Sequence, residues 1–169
     1  MATRKSYPED YYIRVLFEKV KVKEIMVTKV IKLYEDDELS RAEEIFVTQG
    51  VSYLPVVTHN DELVGLLTQK YLYKTLSPRK IDREEIDYAP DIIVDGQSFY
   101  DKDSLDSIIL KNIMHKDPFT LSPEDSAGRA IVEMVKQNIG CICIIRDNRK
   151  LCGIVTYKDF GRLAAEILK

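Results

Sequence analysis

The feature that most constrains this chain is that it is written twice. Displaced by 88 positions, the sequence aligns with itself without a gap from Lys23 to Leu72. Fourteen of those fifty positions are identical: Lys23/Lys111, Ile25/Ile113, Met26/Met114, Leu33/Leu121, Asp37/Asp125, Arg41/Arg129, Ala42/Ala130, Val47/Val135, Gln49/Gln137, Asn60/Asn148, Leu63/Leu151, Gly65/Gly153, Thr68/Thr156 and Lys70/Lys158. Unrelated sequence of this composition would give roughly three. A period this long with only two copies excludes a solenoid and points to a duplicated supersecondary unit.

Both copies spell out the same order of elements. A short extended stretch (Val30–Leu33, Phe119–Leu121) leads to a helix. In copy one its apolar positions are Leu39, Ala42, Ile45 and Phe46. In copy two they are Ala127, Ala130, Ile131, Met134 and Val135, at helical spacing. Ser122-Pro-Glu-Asp125 carries a cap residue, a proline and an acid in capping-box order, and predicts the start of that second helix. Two apolar runs around an Asn/Asp turn then predict a hairpin in each copy, Tyr53–Thr58 with Leu63–Thr68 and Cys141–Arg146 with Leu151–Thr156. Each hairpin ends in Gly-x-x-Thr and runs into a further helix. That helix is plainest at Lys158–Lys169, where Phe160, Leu163, Ala164, Ile167 and Leu168 recur. The unit is β-α-β-β-α. The organisation expected is an N-terminal extension with a helix at 1–21, unit one at 22–76, a connector at 77–109 and unit two at 110–169. Within the connector Ile92-Ile-Val94 is a candidate short strand.

Composition narrows the function classes. At 45% hydrophobic and 31% charged residues the chain has material for a core. Acids outnumber bases 28 to 25, and no basic stripe stands out, so nucleic acid is not the partner expected. No apolar run approaches the ~20 residues of a membrane helix, and the first residues lack a signal-type apolar core, which together read as cytoplasmic. Three cysteines give no disulfide framework. Cys141, Cys143 and Cys152, without a CxxC pair or a neighbouring histidine, read as small buried hydrophobes rather than a metal site. His59 and His115 form no triad, and the acids at Glu35–Glu38, Glu43 and Glu44 suit the beginning of a helix, so neither a catalytic set nor a metal is expected. Tyr7, Tyr11, Tyr12, Tyr88 and Tyr100, outside the repeat, are candidates for a contact surface.

The tandem β-α-β-β-α unit closing on Gly153-Ile-Val-Thr-Tyr-Lys-Asp159 resembles the CBS domain pair, also called a Bateman module. The Ile-Met openings at Met26 and Met114, Leu54-Pro-Val-Val57 and Ser122-Pro-Glu-Asp125 support the resemblance, which covers about four-fifths of the chain. It implies an α/β (α+β) fold with the two repeats related by a pseudo-twofold axis. It also implies clefts that hold adenosine-containing ligands (AMP, ADP, ATP or S-adenosylmethionine), with AMP or ATP foremost as a regulatory ligand rather than a cofactor. Homodimers and signalling to a regulated protein in trans belong to the same implication.

The residue chemistry fits such a ligand in copy two. Thr156 stands at a strand-to-helix turn, where free amides favour an anion. Asp159 is an acceptor suited to the two donors of a ribose diol, Lys158 a cation for phosphates, and Gly153 a place of close approach. By the resemblance, the adenine slot lies near Thr120 and at Ile139, Gly140 and Cys141. Copy one reads Gly65-Leu-Leu-Thr-Gln-Lys-Tyr71, with tyrosine in the diol-binding position; Ser52, Tyr53, Thr68 and Tyr71 mark a weaker second site. Two other readings stand beside this one. Thr-x-x-Asp is also a helix cap, which allows a structural or interaction dimer without a ligand site, and an enzyme acting on nucleotides would need a general base or metal cluster that the sequence does not show.

Overall fold

A computed structural model describes residues 10–70 and 108–168. The expected strand at Ile92–Val94, Tyr71, and Tyr7, Tyr88 and Tyr100 lie outside those residues. A leading helix α1 (Asp10–Lys19) and a single turn α2 (Val22–Ile25) precede copy one. Copy one comprises β1 (Leu33–Tyr34), α3 (Leu39–Gln49), β2 (Tyr53–Val57) and β3 (Leu63–Thr68), and Gln69–Lys70 open a further helix. Copy two begins with the turn α4 (Leu110–Ile113) and a two-residue strand β4 (His115–Lys116). It continues through β5 (Thr120–Leu121), α5 (Ala127–Gln137), β6 (Cys141–Arg146), β7 (Lys150–Thr156) and α6 (Tyr157–Ile167).

The β-α-β-β-α order is the one that the apolar periods predict, and the copies match in detail. In each, the first strand runs parallel to the second across a helical connection, as parallel pairing requires, and the second and third form an antiparallel hairpin. The ladder slips at Val56/Val57 in one hairpin and at Ile144/Ile145, 88 residues on, in the other. A bulge re-aims a strand, and its recurrence at equivalent positions marks it as part of the unit. Helices α3 and α5 both end on a left-handed residue, Gly50 (φ 60°) and Asn138 (φ 53°), the two residue types that tolerate that conformation best.

Three departures from the sequence expectation have local causes. Helix α5 starts at Ala127, capped by Ser126, whose Oγ accepts the Arg129 amide at 3.1 Å. Ser122–Asp125 instead closes a turn ahead of it, with the Ser122 amide donating to the Asp125 carboxylate at 2.8 Å and the Asp125 amide to the Ser122 carbonyl at 3.1 Å. Val135, counted with the apolar face of α5, is exposed, while Ala127, Ala130 and Met134 are buried. Of the apolar residues predicted for α6 only Phe160 is buried, with Leu163 against the core, and Ala164, Ile167 and Leu168 face outward.

The copies exchange their openings. Strand β4, at the head of copy two, adds to the copy-one sheet beside β3, giving the order β1-β2-β3-β4, and Leu110 and Met114 enter the copy-one core. Reciprocally, Val22, Ile25 and Met26, at the head of copy one, pack into the copy-two core with Leu121, Met134, Ile142 and Phe160. Val27 exchanges two hydrogen bonds with Ile154 of β7 (2.9 and 3.0 Å). Helix α1 joins the same body, with Phe17 stacking on Phe160 at 6.5 Å between ring centroids. A third apolar cluster of Leu63, Leu66, Cys141 and Cys143 unites the hairpins of the two copies.

Candidate functional site

The strongest functional motif, Gly153-x-x-Thr156-x-x-Asp159, falls where β7 becomes α6. Thr156 is the N-cap of α6 and Asp159 lies in its first turn. The Asp159 carboxylate accepts the Thr156 amide (2.7 Å) and the Thr156 hydroxyl (2.8 Å) on one oxygen and the Arg162 guanidinium (3.0 Å) on the other. Asp159 is 3% exposed, the one polar residue among those described that is buried to that degree. Burial of an ionised carboxylate is tolerable because three charge-assisted donors replace water. The capping arrangement is therefore fully made. A carboxylate offers about four lone-pair sites, so a ribose diol gains a two-point grip only if one donor withdraws. Arg162, whose side chain is 69% exposed, is the donor that solvent can take over most easily. Sequence reading missed Arg162, although its spacing of three residues from Asp159 on a helix is the signal that pairs such groups.

The other copy-two positions gather at the same end of the sheet. Cys141, first residue of β6, lies directly opposite Thr156, and Thr120 on β5 pairs with Cys143. Gly140 and Ile139 connect α5 to β6, and the Ile139 amide is taken by the Met134 carbonyl at 3.0 Å. Lys158 is exposed on the first turn of α6. The structure thus brings Cys141, with Ile139 and Gly140 just before it, together with Thr156 and Asp159. Thr120, by contrast, lies on the other side of β6, beside Cys143, and Lys158 faces solvent. In copy one Tyr53 lies opposite Thr68, and the Ser52 carbonyl accepts the Gln69 amide at 3.1 Å.

The neighbours that approach Gly153 come from the opening of copy one, among them the Val27 carbonyl oxygen, 3.1 Å from where a Cβ would lie. A Cβ there would lie 2.6 Å from Met26 Sδ, and one on Gly65 would lie 2.3 Å from Met114 Sδ. Each glycine admits a methionine from the opening of the opposite copy. The close approach is by protein, not ligand.

Electrostatics set the thiols aside. The Cys141 thiol is pushed well above its ordinary range by its hydrogen bond with Cys143, and then by burial. Burial likewise raises Cys152. Thiols held protonated are poor metal ligands and nucleophiles, and among the described residues no three His, Cys, Asp or Glu side chains are placed to hold a metal. Burial also raises Tyr53, with Cys141 and Tyr157 beside it adding to the effect. Among the described residues no helix is long and apolar enough to cross a membrane.

Comparison with known proteins agrees with the two-copy fold. The sequence model described as the CBS domain matches residues 22–78 and 110–166. A CBS domain pair solved in complex with 5′-methylthioadenosine and S-adenosyl-L-methionine superposes with a TM-score of 0.64 at 21% identity, covering 86% of this chain and 99% of that one. CBSX2 in complex with AMP gives a TM-score of 0.67 at 17% identity over 89% of this chain and 99% of that one. Among curated sequences, a homoserine O-acetyltransferase of Methanohalobium evestigatum is 23% identical over 86% of this chain, and an L-aspartate semialdehyde sulfurtransferase of Methanocaldococcus jannaschii 24% identical over 84%. The chain spans only about a quarter of the length of these two relatives (24% and 23%).

Proposed function

This chain belongs to the CBS domain family, with two copies of the domain, and from that premise we propose that it is a regulatory module whose copy-two cleft binds an adenosine-containing ligand. The observation that carries the reading is the Thr156–Asp159 pair at the start of α6, set directly across β6 and β7 from the Gly140–Cys141 backbone. In this reading Asp159 takes the ribose diol as Arg162 withdraws, Thr156 and the first amides of α6 take the anionic end with Lys158 beside them, and the Ile139–Cys141 edge takes the base. Solved relatives of the same fold bind adenosine compounds, S-adenosyl-L-methionine with 5′-methylthioadenosine in one and AMP in another. AMP or ATP is the ligand we expect. The enzymatic names of the curated relatives refer to proteins about three and a half times as long, and no activity is carried over from them.

The output passes to a partner in trans, and the module pairs with a second copy. Val47 and Val135, at equivalent positions of α3 and α5, are 69% and 67% exposed, and Ile167 and Leu168, at the end of α6, are exposed as well. Exposed apolar groups collected on helices are the material of such a contact.

Calorimetry with AMP, ADP, ATP and S-adenosylmethionine tests the site, with Asp159→Ala as the control. We expect at least one ligand to bind and the substitution to weaken it by roughly 10- to 100-fold, the worth of hydrogen bonds to a charged group. A folded protein that binds none of the four leaves the second reading, a structural dimer. The completed cap at Asp159 favours that reading, and loss of melting temperature without loss of affinity in Asp159→Ala would support it.

A further inference from the structure

The ring of Tyr53 begins in copy one and ends against the backbone of copy two. A Cβ added to Gly140 would stand 1.9 Å from the Tyr53 hydroxyl and 2.9 Å from the ring carbon that bears it. No residue but glycine fits at 140 while Tyr53 keeps this position. The contact breaks the symmetry of the duplication. The equivalents of Tyr53 and Gly140 in the opposite copy are Cys141 and Ser52, so the corresponding corner holds two small side chains and no ring. Tyr53 is half-buried among Leu63, Leu66, Cys141 and Cys143. Among the described residues no hydrogen bond fixes its hydroxyl. The ring is held, among the described residues, by packing, and two side-chain torsions suffice to turn it.

The ring lies on the edge that a base would need. Cys141, beside Gly140, faces Thr156 across the ladder, so the Ile139–Cys141 backbone and the Thr156 helix start form the two ends of one short site. The geometry points to Tyr53 as a displaceable plug at the base end of this site, which a purine must turn aside to reach the Gly140 edge. The inference rests on the nucleotide reading above and adds to it a residue that sets affinity. Sequence comparison of the copies places Tyr53 in the weaker, copy-one site; the structure gives it a role in the other.

Titration of adenosine, AMP and ATP into the full-length wild type, Tyr53→Ser and Tyr53→Val tests the plug. Freeing a half-buried aromatic corresponds to about tenfold in Kd. We expect both variants to bind all three ligands about tenfold more tightly, and by a similar factor, since the phosphates lie at the other end. Tyr53→Val keeps an apolar residue of high strand propensity in β2 and carries the test if the serine variant melts early. Unchanged or weaker binding by the variants, with wild-type binding intact, overturns the plug and leaves the nucleotide site standing, as does a gain that depends on the number of phosphates. Absence of binding by all three proteins overturns both.

Discussion

Replacing Gly153 with alanine tests the crossed packing that unites the two repeats. The added methyl group would lie 2.6 Å from Met26 Sδ, 3.1 Å from Met26 Cγ and 3.1 Å from the Val27 carbonyl oxygen. A thioether can rotate away at little cost. The carbonyl cannot, because it accepts the Ile154 amide at 3.0 Å while the Val27 amide donates to the Ile154 carbonyl at 2.9 Å. Overpacking of this kind costs about 1–3 kcal/mol. The flexible sulfur places Gly153→Ala near the middle, about 2 kcal/mol, or roughly 4–8 °C in Tm for a chain of this size. Gly65→Ala meets Met114 Sδ at 2.3 Å and Cγ at 2.7 Å, and Met114 is buried, so its loss is the larger, about 3 kcal/mol. Urea and thermal unfolding of Gly153→Ala, Met26→Ala and the double variant measure the contact directly. If Met26 fills the space of the missing side chain, the double variant is more stable than the sum of the singles predicts, by about 1 kcal/mol. Strict additivity, or a Gly153→Ala protein as stable as wild type, would refute the reasoning.

Two further perturbations follow from local chemistry. Ser126→Ala removes the side-chain cap of α5 and is expected to cost about 1 kcal/mol, read as a fall of roughly 2–4 °C in Tm. His59 lies 3.0 Å from Asp36 and stacks on Tyr34; the Asp36 hydrogen bond raises the histidine pKa above 6.5 and in turn holds Asp36 below 3.8. The histidine's share of stability is thus complete below pH 6.5 and lost as pH rises through its raised folded value, and the aspartate's is present above pH 3.8 and lost as pH falls through its lowered one. An NMR titration should place His59 above 6.5 and lower it in Asp36→Asn, with Asp37 and Glu35 still nearby; an unshifted His59 in the wild type would remove the pair.

The fold was legible because the apolar residues carry it. Leu39, Ala42 and Phe46 recur at helical spacing and are buried on α3, and the runs at Leu54–Val57 and Cys141–Ile144 are the buried centres of the hairpins. Local signals that compete for one function were harder to separate. Ser122-Pro-Glu-Asp125 has the residues of a helix start, yet Ser126 has the same capping chemistry four residues later, and the α5 apolar face begins only at Ala127. At the site, Thr156 and Asp159 were visible from spacing. What surrounds them was not, since Tyr53 meets Gly140 across 87 residues of sequence and no local pattern encodes a contact between copies.

The same limit explains Gly153 and Met26. In the sequence they are two separate marks of one repeated unit, a motif at its end and an opening at its head. In the fold the opening of copy one closes on the motif of copy two, and Met114 does the same at Gly65. A unit of sequence is therefore not a unit of structure here. The body that carries Thr156 and Asp159 includes Val22 and Met26, and through Phe17 on Phe160 it reaches α1, one residue along α6 from Asp159. Each core draws buried side chains from both repeats, so neither repeat encloses its own. The pairing of two copies in one chain is thus a condition of the fold as well as a product of duplication. For the same reason the surroundings of Thr156 and Asp159 draw on both halves, with Gly140 and Cys141 from one and the Tyr53 ring against Gly140 from the other.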